Sequence, residues 1–367
     1  MQFISDKFNT QHFYPPIQPL LNTIYLWGAH LSDTTYLPAT MNVFLSRALQ
    51  SVSLSLCHHD SKDHPQKTVQ TIQAEVLLAN YFICNARLLE GRYHLSTASS
   101  LALSCGLHKS GSETARQGSI AGLGDSITIA SGVEREETIH AMWTVLALNN
   151  IWMAVDSLPS NIAYTTDGVK VDTPWPVDFE TIGNQSNTTF TGSNTIQNFL
   201  MGTQDGATSY RALYAKCSIL FEQATMVGIR YKEGDILLYT AWIKDSHKSF
   251  HLGQSAELQR SFLALDALTS RFISSLPPIE TVRNQTDSLV HSTRDLLCIH
   301  TLAYSARMRL YLPFAYSDEI SYNQAMQCAR SIIEAIHLID LDTNNQADYV
   351  DPILGVSNVF GYISQIS

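Results

Sequence analysis

The sequence is short of charge: 15% of its residues are Asp, Glu, Lys or Arg, against 45% hydrophobic. Few charges leave few positions suited to permanent solvent exposure, so much of each helix must be buried and a layered body is expected. Basic residues are the scarcer sign, 23 Lys and Arg against 33 Asp and Glu, for a formal charge of −10. A polyanion is held by a basic stripe that displaces counterions. Nothing here exceeds the spacing of Arg307 and Arg309, so this segment is expected to make no direct DNA contact. Long apolar runs are missing too. Polar side chains interrupt every one within a few residues, which argues against a membrane span. The first 16 residues lack the charged-then-apolar order of a secretory signal, and an intracellular location is expected. Three glycosylation sequons, at Asn184, Asn187 and Asn284, then have no secretory route to act in.

Cysteines are scattered singly. None of the six (Cys57, Cys84, Cys105, Cys217, Cys298, Cys328) stands two residues from another, so neither a zinc cluster nor a disulfide framework is indicated. Most sit at core-like helical positions and read as small buried hydrophobes. No phosphate loop, dinucleotide fingerprint, nucleophile elbow or H-E-x-x-H pattern occurs. The chain is read as no enzyme, with no metal site and no cofactor of its own.

Helical periodicity is the strongest positive signal. Val69, Ile72, Val76, Ala79, Ile83 and Ala86 recur at helical spacing, with Gly91 expected to punctuate the chain. Leu95, Ala98, Leu101, Ala102 and Cys105 continue a second helix, and Gly106 follows where a left-handed cap is expected. Residues 109–133, rich in Gly, Ser and Thr, read as a surface loop. A third helix is expected from Glu134 to about Val155, its first turn acidic to suit the helix dipole. Residues 207–228 and 235–250 read as two helices. Cleaner stripes follow at Leu258 to Leu276, Leu289 to Leu310 and Tyr322 to Ile339, the first two stopped by Pro277 and Pro313. The expected fold is all-α, a multi-helix layered bundle of antiparallel hairpins with one long irregular crossing loop. It is read as a single helical domain over 1–367. Its first helical half is 12–157, the loop 158–206, and the second half 207–363. The loop is expected to order around Trp175 and to carry a mobile polar tip. Truncation at one or both ends is expected, because Phe360, Tyr362 and Ile363 begin an apolar pattern that the chain does not complete.

Several clusters could carry chemistry. Cys57, His58, His59 and Asp60, with His64 nearby, are the most metal-like, but adjacent helical histidines point about 100° apart. A helix end followed by a loop is the preferred reading. Arg87, Arg92, His94 and His108 could form an anion pocket; the preferred alternative has Arg87 satisfying carbonyls and His108 capping a helix end. Asp340 and Asp342, or Asp60 and Asp63, lack the paired spacing that helical isoprenoid enzymes use for magnesium. Trp143 and Trp152 on one helix, with Tyr81 and Phe82 on another, could line a ligand pocket or be ordinary core.

The order of these segments resembles a known family. The run from Ala74 to Tyr81, then Glu90 to Leu95, then Ala98 to His108, is similar to the middle homology region of fungal zinc-cluster transcription factors. Glu134 to Glu137, Trp143 six residues before Asn149, Pro159 to Ile162, and Pro174 to Pro176 continue the likeness. Leu265 to Pro278, His300 to Pro313 and Ala325 to Ile339 carry it to the far end. Two positions depart: Asn149 and Asn150 stand where the family has an acid–base pair, and Ser157 stands where it often has glycine. The hydrogen-bonding amides are expected to replace the charged contact.

The resemblance implies an all-helical regulatory domain acting in the nucleus on transcription by RNA polymerase II. It would act through an attached zinc-cluster DNA-binding module that is absent from these residues, and zinc belongs only to that module. Protein partners of the transcription machinery are implied, a small-molecule effector and a homodimer are admitted, and no membrane or direct DNA contact is expected. Tyr81, Arg87, Trp143, Asn149, Asn150 and Trp152 are the ligand-binding candidates. An all-α isoprenoid-type enzyme and a helical interaction scaffold remain the alternatives.

Overall fold

The structure is a computed structural model that describes residues 14–32, 38–57, 64–109, 132–164, 168–178, 193–244, 248–279, 290–316 and 318–340. For 38–39, 132–133, 232–244, 248–255, 290–293 and 338–340 only the backbone is described. Among the described residues there are ten α-helices, two 3-10 turns and no strand. No described helix is long and apolar enough to cross a membrane. The chain divides into two compact units, residues 1–106 with 114–141, and residues 107–113 with 142–367.

In the first unit α1 (Gln18–His30) and α2 (Pro38–Cys57) form one hairpin, and α3 (Pro65–Cys84) and α4 (Leu88–Ser104) a second. Cross-contacts fix the direction of each. Asn22 reaches Ser51 while Tyr25 meets Phe44, so α1 and α2 run antiparallel. Leu26, Ala48, Val52, Ala74, Leu78, Tyr81 and Phe82 form the core they share. His64 caps α3, its Nδ1 accepting the Gln66 N–H at 3.3 Å, and Tyr14 stacks on its ring. The helix-end reading for Cys57 and His64 therefore fits α2 and α3; His58, His59, Asp60 and Asp63 lie outside the described residues.

The turn between α3 and α4 sits at Asn85–Arg87, and Gly91 lies inside α4. Gly91 does not punctuate the chain. A Cβ there would stand 2.5 Å from Ile83 Cγ1 and 3.1 Å from the Ala79 carbonyl, so the glycine permits close approach of the two helices. The turn itself uses Ala86 in the left-handed region, φ 58°. The N–H of Arg87 reaches the Phe82 carbonyl at 2.8 Å and that of Ala86 the Ile83 carbonyl at 3.0 Å, which is a Schellman closure. Alanine pays a Cβ penalty there. Ala86→Gly is expected to stabilise the first unit by about 1 kcal/mol, checked by urea unfolding.

In the second unit α7 (Tyr210–Lys244) and α9 (Val290–Tyr311) lie side by side. Cys217 contacts the Ile299 carbonyl and Thr225 contacts Arg309, so these two run parallel. Helix α8 (Lys248–Ser275) returns antiparallel, with Asp266 meeting Arg307 and Pro277 meeting His300. Helix α10 (Glu319–Asp340) covers α9 from another side through Ala325, Cys328 and Ala329 against Met308 and Tyr311. The pair expected at 207–228 and 235–250 is one 35-residue helix as far as Lys244. Gly228 interrupts the sequence pattern without ending it, because its missing Cβ makes room for Pro313, whose Cγ would lie 3.0 Å from it.

Helix α5 (Gly132–Val155) contributes to the first unit as far as Ala141 and to the second from Met142. The segment after it is less irregular than expected. Residues 168–178 are described without helix or strand, and α6 (Thr195–Leu200) is a short helix inside the expected loop. The rest of the polar tract, 179–192, lies outside the described residues.

Candidate regulatory site

Helix α5 ends on a second left-handed cap. Ser157 has φ 56°, with its N–H on the Ala154 carbonyl at 3.0 Å and the Leu158 N–H on the Met153 carbonyl at 2.8 Å. The position where the family often has glycine is therefore one that favours glycine. Serine brings its own compensation. Arg309 Nη2 donates to Ser157 Oγ at 3.0 Å and to the Ala154 carbonyl at 2.9 Å, and its Nε reaches Thr225 Oγ1 at 3.3 Å. A guanidinium at a helix C-terminus also meets the negative end of the dipole. Arg309 thus joins α9, α7 and the end of α5.

The αL turn at Ser157 and Pro159 send the chain back over α5, and this places Ser160, Asn161 and Tyr164 on Asn149 and Asn150. Both asparagines have no exposed surface, so their amides must find partners inside the protein. Asn149 Nδ2 donates to Ser160 Oγ at 2.6 Å, and Asn161 Nδ2 donates to Asn149 Oδ1 at 2.8 Å. Ser160 Oγ lies 3.1 Å from Asn150 Oδ1, and Asn150 Nδ2 donates to Tyr164 OH at 2.9 Å. The Tyr164 hydroxyl in turn donates to Glu222 Oε2 of α7 at 2.9 Å, which also accepts from Gln223 at 2.7 Å. The two amides are satisfied inside the protein, and they link α5, the returning chain and α7 in one buried chain of hydrogen bonds.

Burial is the main force on the ionisable members. It pushes the Glu222 carboxyl above its ordinary range, against the two hydrogen bonds that favour the charged form. It pushes the Tyr164 phenol well up, with the Glu222 charge adding to the effect. A carboxyl raised in the folded state binds its proton more tightly than the unfolded chain does. Its contribution to stability is then full below the unfolded value, about 4.3, and falls as pH rises toward the folded value. Glu222→Gln is therefore expected to flatten the loss of stability with rising pH above about 4.3, read from urea midpoints at stepped pH.

A second constellation lies around Trp175. Trp143 Nε1 donates to the Pro174 carbonyl at 2.6 Å, and its ring stacks on Trp175 at 4.3 Å. Phe199 of α6 meets Trp175 edge-on at 5.9 Å and Phe272 of α8 at 6.1 Å. Lys216 of α7 places its ammonium 5.0 Å from the Trp175 ring centre and 5.7 Å from that of Phe199. The same nitrogen donates to Asp205 Oδ1 at 2.7 Å and to the Ala207 carbonyl at 2.9 Å. Burial draws the Lys216 pKa below its usual value, while Asp205 opposes this. The crossing segment is pinned further by Asp172 N–H on the His108 carbonyl at 2.7 Å and Thr173 Oγ1 on the Leu107 carbonyl at 2.6 Å. Ordering around Trp175 was legible in the sequence. The lysine beneath it was not.

The six ligand-binding candidates fall in both units. Tyr81 is core of the first, edge-on to Trp27 and His30. Arg87 is half-exposed, paired with Glu90, its guanidinium 4.5 Å from the Phe82 ring centre. That corrects the expectation that it satisfies carbonyls. Trp143, Asn149, Asn150 and Trp152 belong to the second unit. Trp152 is buried, and its indole N–H has no hydrogen-bond partner among the described residues. Of the supposed anion pocket, His94 is buried against Glu75 at 2.5 Å, with Phe82 stacked on its ring. His108 lies in the 3-10 turn Leu107–Lys109 and offers its backbone carbonyl to Asp172. Cys217, Cys298 and Cys328 are buried, Cys84 and Cys105 partly so, and Cys57 is exposed. Among the described residues no three His, Cys, Asp or Glu side chains converge as metal ligands would.

Residues 6–295 match the family model described as the fungal specific transcription factor domain. No curated protein and no solved structure matches the chain. The family match covers most of the first unit, the crossing segment and α7 to the start of α9, and so includes Asn149, Asn150, Tyr164, Trp175, Lys216 and Glu222, while Arg309 lies beyond it. The chain belongs to the fungal-specific transcription factor domain family and is a regulatory region of a fungal transcription factor.

Proposed function

We propose that this chain is the middle homology region that modulates transcription by RNA polymerase II in the nucleus, through a zinc-cluster DNA reader supplied outside these 367 residues. A ligand or partner shifts an equilibrium only by binding one arrangement of the protein better than another. The buried junction of Asn149, Asn150, Tyr164 and Glu222 is the observation that carries this reading. A polar network with every member partnered is discrete, since a partial shift leaves buried donors unpaired. Coupling α5, the returning chain and α7 through it makes their packing an element that an effector could bias. A small fungal metabolite or a protein of the transcription machinery would be that effector, with Trp143 and Trp152 beside the junction in sequence. The chain itself, at net charge −10, would leave DNA to the reader.

Thermal shift and calorimetry against a panel of fungal metabolites, with capture of partners from nuclear extract, test this. A ligand or nuclear partner that stabilises the wild-type chain and loses its effect in Asn150→Leu is the expected result. Silence in both experiments, or binding of duplex DNA by the isolated chain, would overturn the proposal.

A further inference from the structure

Helix α10 packs against α9 and the Leu312–Phe314 turn, and its buried side holds Ala325, Cys328, Ala329, Ile332 and Ala335. At about 100° per residue, the apolar sector runs on past Ala329 to Tyr322, Ile333 and Met326. This flank stays half open: Tyr322 is 44% and Ile333 39% exposed, and Met326 is partly so. Exposed Glu319, Arg330 and His337 mark where the solvated side begins. The whole helix lies beyond the family match, which ends at residue 295.

Residues 341–367 lie outside the described residues, and their sequence divides in two. Asp342, Asp348 and Asp351 fall in 341–352, whereas 353–367 holds no Asp, Glu, Lys or Arg. Asp351 followed by Pro352 is the pattern of a helix cap and first turn. Ile353, Val356, Phe360 and Ile363 then recur at intervals of three and four, flanked by Val359 and Ile366. Ser357, Asn358, Ser364 and Gln365 fall on the opposite side. The sequence thus predicts an amphipathic helix whose apolar face needs a partner.

We infer that residues 353–367 fold back along α10 and cover Tyr322, Met326 and Ile333. The lengths agree. Tyr322 and Ile333 stand about 17 Å apart along α10, and a helix over 353–367 would be about 22 Å long. The connection 341–351 can reach up to about 36 Å, enough to turn the chain back from Asp340, and its carboxylates suit a solvated link. Chemistry selects this occupant, because the flank is apolar and the segment brings no charge that would have to be desolvated. Antiparallel helices also set opposite ends of their dipoles side by side. The chain itself then closes the flank, and a partner reaches it only by displacing the segment.

Replacing Tyr322 by photoreactive p-benzoylphenylalanine in the full chain tests this, with adducts mapped by mass spectrometry. The expected adducts join the probe to residues 353–367 of the same monomer. Ile333→Glu should lower their yield about tenfold, since the segment must then cover a carboxylate, with helix content unchanged. The same probe at exposed Gln327, on the solvated side, should give none, and a probe at Met326 reads the flank again should the first disturb folding. Adducts only to other parts of the chain, or between two copies, overturn the inference. A folded protein with no adduct in 353–367 also overturns it, as does a yield that Ile333→Glu leaves unchanged.

Discussion

Lys216→Met is expected to destabilise the second unit by about 3 kcal/mol, a large share of the stability of an ordinary domain. Methionine keeps most of the stem and its packing, so the loss comes from the ammonium. Removing it leaves the Ala207 carbonyl without its donor and Asp205 without its counter-charge. It also removes the cation from between the Trp175 and Phe199 rings, each contact worth roughly 0.5–2 kcal/mol. Asp205 keeps some solvent exposure, which places the cost at the lower end for a broken buried pair. Thermal melting followed by tryptophan fluorescence reads it directly, since Trp143 and Trp175 report on this site. In Lys216→Met with Asp205→Asn, part of the loss should return, as the uncompensated charge is then gone.

Tyr164→Phe should cost about 2–3 kcal/mol. The ring is retained and its packing with it. What disappears is the hydroxyl that accepts from Asn150 and donates to Glu222. Both partners are buried, so neither gains water in exchange, and the carboxylate is the more expensive one to leave short of a donor. Because burial already raises the Glu222 pKa, loss of the Tyr164 hydrogen bond should raise it further and steepen the fall of stability as pH increases. Urea midpoints for wild type and variant at pH 5 and 7.5 would check this, with the larger deficit expected at the higher pH. An unchanged midpoint at both values would show that the junction contributes nothing to the fold.

The parts of the architecture legible in the sequence are those fixed by local periodicity. The stripe from Val69 to Ile83 is read directly as α3, and Gly106 does take a left-handed conformation, φ 72°. Helix α10 follows the stripe at Tyr322 to Ile339. Glycine misled where its role is tertiary. Gly91 looks like a break, yet it sits within a helix and leaves room for Ile83 to pack against its missing Cβ. Left-handed residues that are not glycine are harder to read. Neither Ala86 nor Ser157 announces a cap, since closure there comes from backbone hydrogen bonds and, for Ser157, from an arginine of α9.

The site divides in the same way. Asn149 and Asn150 stood out as departures from a family pattern at an apolar helix, and their partners Ser160, Asn161 and Tyr164 follow within 15 residues. Glu222, Lys216 and Arg309 carried no signal. Each reaches residues from other elements, and a lone charged residue in a helical stripe reads as solvated until the fold shows what surrounds it. Arg87 pairs with Glu90 one turn away, a local contact of helical spacing that the reading of its basic neighbours did not include.

Transcription from a reporter, with the chain tethered to a heterologous DNA-binding module, is the most direct measurement of the regulatory role. Wild type is expected to change output relative to the bare module, in either direction, while Asn150→Leu abolishes that change with equal protein level and equal occupancy of the reporter DNA. Output identical to the bare module for a folded, nuclear wild-type fusion would contradict a regulatory role.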